Sequence, residues 1–413
     1  MSHRLALESS ATPYRIAILT AIACVLQISE SMIPHPVPGL RLGLANMITL
    51  VALIRWGGRA AMEIAVLRTI LSSLIIGTFM SPTFILSFFG ALVSTFVMWG
   101  LLRFVQLQPY IRFSIIGISI AGALIHNMVQ LYLAYALLVK HRGIFIFFPW
   151  LCVGSVIMGW ITGAVAGQVC QRLGRHAHRP SQRITPTSEE DSLRLEVYNE
   201  NASYMHRLSP EIKIFMMMAV AIFLFWATDY RIFVGLFLLM LVIVITSGIS
   251  FKYLYTRLRR FSVLIALPIV LSACFNHGSD PIVSWRAVVI TREGLLQGSI
   301  VGLRLVLLIL FSTIVMRTTS PEGLTKGVAR LMKPFRYLGV SEQRTAQILT
   351  TAWEIMPDIW QKGRQAIRSG MLAKTSGLKN MIPMLSMLIT DMMMGESDEQ
   401  DDQCPKPDDI VSS

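Results

Sequence analysis

The stretch EGLTKGVARLMKPFRYLGVSEQRTAQILTTAWEIMPDIWQKGRQAIRSGML, residues 322–372, decides the kind of fold that this chain adopts. It has the composition of a basic helix and directly follows a long apolar segment. Apolar side chains recur in its first part at three- and four-residue steps, at Leu324, Val328, Leu331, Phe335 and Leu338. One face therefore favours lipid or protein and the other favours water. This predicts a cytoplasmic amphipathic segment attached to the membrane part of the protein. An ordinary helix lying on the membrane surface would show the same pattern.

The overall composition assigns the chain to a membrane. Hydrophobic residues make up 54% of the 413 residues and charged residues only 15%. The mean hydropathy of +0.58 is too high for a soluble globular protein. The net charge of +13 could indicate nucleic acid, but the basic residues lie mostly at the ends of apolar runs. We therefore expect a lipid bilayer with an anionic inner leaflet as the partner, and no nucleic acid.

Motifs for catalysis and metal binding are missing from the sequence. The five cysteines are scattered, with no CxxC pair and no spacing typical of metal ligands. No GxxxxGK[ST] loop is present that could hold ATP phosphates, and no GxSxG or HExxH sequence supports catalysis. The sequence therefore predicts a protein that is not an enzyme and that binds no cofactor or metal itself.

Apolar runs long enough to cross a hydrocarbon core, about 20 residues each, organise the first part of the chain. About six of them lie in residues 1–171, near 14–33, 40–55, 60–80, 82–102, 113–139 and 143–171. The arginines between them fall mostly on one side of this arrangement. The positive-inside bias therefore predicts a multi-pass protein of a bacterial inner (cytoplasmic) membrane with a cytoplasmic N-terminus.

A polar segment at residues 172–205, charged and containing two prolines, indicates a cytoplasmic linker between two membrane domains. The second domain, residues 206–394, begins with two apolar runs joined by a polar turn at Thr228–Tyr230. Further spans are expected near 260–275 and 294–316, with an extracytoplasmic loop between them. These features predict an all-α polytopic membrane protein.

The end of the second domain has two parts. The apolar piece at residues 381–394 is short for a span, so a tilted crossing, a partial helix and an interfacial segment all remain open. Residues 395–413 form an acidic tail that we expect to be disordered.

The second domain carries the motifs HRLSPEIK (residues 206–213) and TREGLLQGSIVGLRLVLLILFSTIVMRTTSPEGLTKGVARLMKPFRYLGVSE (residues 291–342). Over this length it resembles the transmembrane T component of energy-coupling-factor importers, the family that includes the cobalt-transport membrane protein. The resemblance implies cytoplasmic coupling helices, here at about 320–372, and separate P-loop ATPase subunits that supply the energy of ATP.

In that family, an arginine in an Ala-Arg-Gly-like signature docks into a groove of an ATPase subunit. The resemblance therefore implies this role for Arg368 with Ser369 and Gly370, a copy whose order is shifted, while Arg364 and Lys362 would face the same acidic groove. A second signature is missing beyond the last apolar segment, where the acidic tail stands instead. Glu354 also occupies a position at which the family usually has an arginine.

The first domain carries the stretch IPHPVPGLRLGLANMITLVAL at residues 33–53. It resembles six-helix membrane proteins labelled heptaprenyl diphosphate synthase component I, which are also described as transporters akin to substrate-binding S components. Prenyl-chain elongation needs magnesium held by aspartate-rich clusters, and residues 1–171 contain no aspartate. A role in prenyl synthesis could therefore only be that of a non-catalytic partner.

Polar residues inside the apolar spans are the candidates for a substrate site, because such groups are costly in a bilayer unless they face a cavity. His126, Asn127 and Gln130 lie close together in one span, with His126 and Gln130 on one helical face. Each could instead be a polar contact between helices. Arg304 is similarly placed in the second domain, where its match to the T family implies a structural or coupling role.

Basic and amide side chains in the first domain extend this candidate site. Arg68 lies inside the third span and needs either an anionic ligand or a counter-charge such as Glu30 or Glu63. Arg41 and Asn46 belong to a loop and a helix start that could form a lid and attract an anion. A polar contact between helices is the alternative for these residues as well.

The first span contains Ala17 and Ala21, a spacing of small residues that lets two helices approach closely. S components use such alanines to meet the T component, so the resemblance implies a contact between the two domains here. The same spacing is common in any membrane helix bundle.

Together, these features predict a fused membrane component of an energy-coupling-factor-type ABC importer for a small molecule. Residues 1–171 would be the substrate-binding S part and residues 206–394 the energy-coupling T part, joined so that their effective concentration is high. One alternative is a non-catalytic membrane subunit in prenyl diphosphate synthesis. Another is an orphaned scaffold that has lost its coupling function.

Overall fold

A computed structural model describes residues 13–32, 43–76, 78–107, 114–139, 142–175, 208–227, 229–275, 281–285, 288–331, 333, 341–368, 386–387, 389–391 and 393. In these residues the protein is an all-α polytopic membrane protein with one short β-hairpin. The predicted fold class is therefore confirmed.

Among the described residues, the N-terminal half contains five α-helices: α1 Pro13–Met32, α2 Leu44–Ile76, α3 Pro82–Leu107, α4 Ile115–Leu133 and α5 Phe148–Arg175. A π-helical turn, Ala134–Val139, continues α4, and a 3-10 turn, Arg142–Phe147, leads into α5. Neighbours in the sequence pack on each other: α1 on α2, α2 on α3, α3 on α4 and α4 on α5. Helix α5 also packs on α2, which closes the bundle.

A kink at Gly57 divides α2 and joins two of the predicted spans, near 40–55 and 60–80. Gly57 has a φ of 85° and a ψ of −178°, a conformation essentially restricted to glycine. At the adjacent Gly58, a Cβ would lie 2.3 Å from Cδ1 of Trp99 on α3. The Gly-Gly pair therefore bends the helix and lets Trp99 pack against the bend.

The described part of the C-terminal half includes seven α-helices and a hairpin: α6 Pro210–Trp226, α7 Tyr230–Thr246, α8 Phe251–Arg260, α9 Ser262–Phe275, β1 Pro281–Trp285, β2 Val288–Thr291, α10 Arg292–Arg317, α11 Pro321–Leu331 and α12 Glu342–Arg368. Helices α9 and α10 lie where spans were predicted near 260–275 and 294–316, and of these two α10 is long and apolar enough to cross a membrane. The predicted turn falls between α6 and α7, where the side chain of Asp229 accepts a hydrogen bond from the backbone N–H of Arg231.

The segment between α9 and α10 was predicted to be a loop, and it contains an antiparallel hairpin. Val283 lies opposite Ile290 and Trp285 lies opposite Val288. β-branched and aromatic residues favour strands, so the hairpin has a sequence signal that hydropathy alone overlooks. The strand β2 contacts α9 and α10.

Five described segments are long and apolar enough to cross a membrane: Pro13–Glu30, Pro82–Leu107, Ile115–Leu137, Arg142–Leu173 and Arg292–Arg317. The apolar helix α7 is shorter. Large apolar side chains are exposed on α3, α5, α6 and α7, for example Phe96, Trp150, Phe215 and Leu238. Exposed apolar surfaces of this extent fit contact with lipid hydrocarbon.

The amphipathic stretch contains two helices, α11 and α12. In α11, Leu324 and Val328 are buried while Lys326 and Arg330 are exposed, as the periodicity predicts. Phe335 and Leu338 fall in residues 334–340, outside the described residues. Helix α12 packs along α1 and also touches α2, so the amphipathic stretch joins the two halves.

Candidate functional site

A polar cavity of about 50 Å³ lies inside the N-terminal half. Each helix of this half contributes a polar side chain to its wall, namely Gln27 from α1, Arg68 from α2, Ser87 from α3, Asn127 from α4 and Ser155 from α5. A polar cavity of this size can hold a few water molecules or one small polar group. The bundle therefore encloses a small polar site within an apolar surface.

Arg68 supplies the positive charge of the cavity wall, with only 3% of its surface exposed. Its Nη1 donates to Oε1 of Gln27 at 3.0 Å, and its Nη2 donates to Oδ1 of Asn46. Because both amide oxygens face the guanidinium, the amide NH₂ groups of Gln27 and Asn46 point away from it. The guanidinium thus holds one residue of α1 and one of the first turn of α2 in place.

Glu30 brings a carboxylate to the same cavity and is as buried as Arg68. Its Oε1 accepts a hydrogen bond of 2.9 Å from the backbone N–H of Gly43, just before α2 begins. A buried guanidinium and a buried carboxylate thus share the wall, where water is scarce and polar interactions are strong.

The facing wall is formed by α4 and α5. Nε2 of His126 and Nε2 of Gln130 are 3.0 Å apart, so the amide donates to the ring nitrogen. The Nδ2 of Asn127 donates to Oγ of Ser155 at 2.7 Å, which leaves the Asn127 carbonyl oxygen as an acceptor. Gly90 of α3 makes room for the imidazole, because a Cβ there would lie 3.0 Å from Cε1 of His126.

The structure brings together most of the residues predicted for the substrate site. Asn46, Arg68, His126 and Asn127 line one cavity, and Gln130 is hydrogen-bonded to His126. Arg41 lies outside the described residues.

Sequence reasoning overlooked Gln27, Ser87 and Ser155, which also line the cavity. A single amide or hydroxyl in an apolar span is a weak signal, because its own helix can satisfy it. Ser155, for example, donates to the carbonyl oxygen of Leu151 at 2.6 Å.

Glu63 was one of two counter-charges considered for Arg68, and that alternative is wrong. Glu63 forms a bidentate pair with Arg344 of α12, with both nitrogen–oxygen distances at 3.2 Å. Glu30 is the carboxylate that lies at the cavity. The error arose because sequence spacing within one span does not show which neighbouring helix each side chain meets.

The residues predicted to contact ATPase subunits lie at the end of α12. Lys362 and Arg364 are partly exposed on its last turns. Helix α12 ends at Arg368, whose side chain lies outside the described part, as do Ser369 and Gly370. One face of α12 is apolar and buried, with Ile348, Ala352 and Ile359 fully enclosed.

Ala17 and Ala21 are both fully buried on α1. Helix α1 packs on α2 within its own half and on α12 of the other half. The predicted contact between the domains at these alanines stays a prediction, since both neighbours are close to the helix.

Arg304 is buried at the centre of the C-terminal half, with 2% of its surface exposed. Its Nη2 donates to the carbonyl oxygen of Ala227 at 3.0 Å, at the end of α6. The guanidinium also lies 5.6 Å from the ring centre of Phe233 on α7. Arg304 therefore ties α10 to the connection between α6 and α7.

Both ends of the second part of α2 contact the same end of the C-terminal half. Near its start, Glu63 pairs with Arg344, and at its end the carbonyl oxygen of Ile76 accepts from Arg257 of α8. Just beyond, the carbonyl oxygen of Phe79 accepts from Oγ of Ser312 at 2.7 Å. Residues 63 and 76 of a helix are about 20 Å apart.

The position of α8 defines that end of the C-terminal half. The guanidinium of Arg317, the last residue of α10, lies 3.9 Å from the ring centre of Tyr253 on α8. Helix α11 begins four residues later, at Pro321. The second part of α2 therefore runs across this end of α10 rather than along its length.

Two families match separate parts of the chain. The family described as heptaprenyl diphosphate synthase component I matches residues 19–169. The family described as cobalt transport protein matches residues 201–398.

Curated relatives agree with the second of these matches. The energy-coupling factor transporter transmembrane protein EcfT of Clostridium kluyveri is 28% identical over 198 residues, covering 46% of this chain and 73% of the relative. The protein of the same name from Thermosediminibacter oceani is 33% identical over 174 residues, covering 42% and 65%. That of Listeria innocua is 29% identical over 196 residues, covering 46% and 74%.

These similarities favour transport over the alternative of prenyl diphosphate synthesis, because the curated relatives are named as transporter components. Residues 19–169 match the heptaprenyl diphosphate synthase component I family and residues 201–398 match the cobalt transport protein family, and the chain is a non-enzymatic membrane component of an energy-coupling factor transporter.

Proposed function

We propose that this chain combines the substrate-binding and energy-coupling parts of an importer for a small molecule. The N-terminal half binds a polar group of the substrate in its polar cavity, and the C-terminal half transmits motion from separate P-loop ATPase subunits. The chain lies in the bacterial inner membrane with its N-terminus in the cytoplasm.

One observation carries this proposal: two of the helices that wall the cavity, α1 and α2, also touch the coupling helix α12. Gln27 and Glu30 of α1 and Arg68 of α2 line the cavity, and both helices pack on α12. A displacement of α12 would therefore act directly on the guanidinium and carboxylate of the site. Packed helices transmit such shifts because well-packed interiors compress little.

The crosswise position of α2 supports a tipped arrangement of the N-terminal half. If α10 crosses the membrane, the second part of α2 lies close to the membrane plane at one end of α10. That end carries Lys252, Arg257 and Arg259 on α8, which the positive-inside bias assigns to the cytoplasm.

We assign ATPase contact to the end of α12. Lys362 and Arg364 are partly exposed there, and Arg368 ends the helix. Basic residues at the end of a helix can form charge-assisted hydrogen bonds in an acidic groove of a partner. Arg368 makes the central contact in this proposal, with Ser369 and Gly370 following it.

Affinity purification of the tagged chain at native expression in mild detergent tests the proposal. We expect P-loop ATPases to co-elute in stoichiometric amounts and to fall at least about tenfold in the Arg368→Glu variant, since reversing a contact charge costs several kcal/mol. The matched control is Arg231→Glu, an exposed residue at the start of α7, which should retain the ATPases.

The outcomes separate the hypotheses. A prenyl synthase in place of ATPases, or no partner at all, would overturn the importer. ATPases that remain bound to the Arg368→Glu variant would support the importer and reject Arg368 as its docking residue.

A further inference from the structure

Where the two halves of the chain meet, a charged contact lies among apolar surfaces. Oε1 and Oε2 of Glu63 each lie 3.2 Å from a guanidinium nitrogen of Arg344. The pair is partly buried, with side-chain exposures of 21% for Glu63 and 35% for Arg344. Parallel hydrogen bonds of this kind fix both the distance and the orientation of the groups that they join.

The pair continues into the base of the C-terminal half. Arg344 lies in the first turn of α12, two residues after Glu342. Oε1 of Glu342 is 3.7 Å from Nε of Arg330 on α11, and Nη1 of Arg330 donates to Glu211 in the first turn of α6. Ion pairs thus connect α2, α12, α11 and α6 in sequence.

Apolar packing alone leaves the register of α12 on the N-terminal half weakly defined. The buried face of α12 carries Ile348, Leu349, Ala352 and Ile359, and the hydrophobic effect that favours burial of such surfaces is non-directional. A directional ion pair restricts the contact to one position. Charged contacts commonly provide specificity in this way rather than raw affinity.

The sequence around Glu63 strengthens this argument. Arg55 and Arg59 are exposed on α2 before Glu63, and Arg59 lies one helical turn away on the same side. Without the Glu63 carboxylate, Arg344 would face a helix whose preceding charged residues, Arg55 and Arg59, are positive. Like charges in such positions repel.

We propose that the Glu63–Arg344 pair is the specificity-determining contact by which the substrate-binding half docks on the coupling helix α12. Arg330 is a positioning residue in this arrangement, because it connects the first turn of α12 to α6. The inference rests on the function proposed above for the two halves, but its test does not depend on ATPase binding.

A charge-swap cycle in the complete chain tests the proposal. A protease site is placed in the linker between α5 and α6, the C-terminus carries the tag, and the purified protein is cut in detergent after folding. The fraction of the N-terminal half retained on the tagged half is then measured. We expect Glu63→Arg and Arg344→Glu each to reduce it about fivefold, as for loss of a good ion pair, and the double swap to restore it.

Two further variants define the outcome. Arg292→Glu, an exposed residue at the start of α10, reverses a charge away from the interface and should leave retention unchanged. Arg330→Gln should lower retention less than Arg344→Glu, because it leaves the pair itself intact. Unchanged retention in both single reversals, or a double swap that fails to recover, would overturn the proposal.

Folding and ATPase binding are recorded on the same preparations. Thermal unfolding of the uncut variants identifies any that fail to fold, and Glu63→Gln then replaces Glu63→Arg with the same expected direction. ATPase content tests the importer hypothesis separately. Absence of ATPases, together with reduced retention in the single reversals and recovery in the double swap, would reject the proposed function and keep the docking contact.

Discussion

Gly57 determines the direction of the second part of α2, and with it the position of Arg68. Its φ of 85° and ψ of −178° lie in a region that costs other residues about 1–3 kcal/mol. We expect Gly57→Ala to lower the unfolding temperature of the detergent-purified protein by several degrees, because alanine has to adopt this strained conformation or straighten the helix. Thermal unfolding monitored by intrinsic fluorescence measures the change.

The matched control for this prediction is Gly100→Ala. Gly100 lies inside α3, and a Cβ there would have no neighbour within 4 Å. Alanine is the better helix former by about 1 kcal/mol, so this variant should be as stable as the parent or slightly more stable. Equal stability of the two alanine variants would show that the kink imposes no strain.

The cavity residues show which side chains of the site can be identified from the sequence alone. Arg68, His126 and Asn127 could be found from the sequence because charged and strongly polar groups stand out in apolar spans. Their partners could not be found in the same way. Whether Arg68 contacts Gln27 or Glu63 depends on the rotation of each helix about its own axis. An almost uniformly apolar helix has no distinct polar face, so its sequence does not define this rotation.

Helices α4 and α5 approach closely along a row of glycines at four-residue steps. A Cβ at Gly159 would lie 2.6 Å from Cα of Ile120, and one at Gly163 would lie 2.8 Å from Cα of Ile116. Since these are backbone atoms, the helices would have to separate. We expect Gly159→Ala to lower the free energy of unfolding by about 1–3 kcal/mol, as overpacking does, and thermal unfolding in detergent measures the loss.

Gly167→Ala provides the comparison on the same row. A Cβ at Gly167 would lie 3.9 Å from Cδ1 of Ile115, which is an ordinary contact, so this variant should unfold at the parental temperature. If Gly159→Ala were equally stable, the close approach of α4 and α5 would be refuted. The glycine spacing is visible in the sequence, but spacing alone does not identify the helix that the glycines face.

Element prediction succeeded where apolar length or periodicity was strong. Helices α9 and α10 were predicted by their apolar runs, and the two faces of α11 by its three- and four-residue steps. The hairpin of β1 and β2 was missed because its strands have only five and four residues, too few for a clear alternating pattern. Short strands of this kind depend on the packing of β2 on α9 and α10.

The direction of α2 relative to the C-terminal half could not be predicted from the apolar spans. A count of spans assumes that every apolar helix stands upright in the membrane and that consecutive helices cross it in alternating directions. By that count, Glu63 and Ile76 would lie at opposite faces of the bilayer, yet both contact the same end of the C-terminal half. The second part of α2 therefore runs across this end of the C-terminal half, where residues 63–79 contact α8, α10 and α12.

A cross-link between Phe79 and Ser312 tests the crosswise arrangement, because Oγ of Ser312 donates to the carbonyl oxygen of Phe79 at 2.7 Å. In a chain whose five cysteines are replaced, Phe79→Cys and Ser312→Cys should react with a short bifunctional thiol reagent. The sample is then denatured and the chain is cut at a protease site placed between α5 and α6. The cross-linked halves should still migrate as one band. Phe96→Cys paired with Ser312→Cys is the control, because Phe96 is exposed on α3. An N-terminal half standing upright beside α10 would hold residue 79 near the hairpin end of that helix, and no cross-link would form.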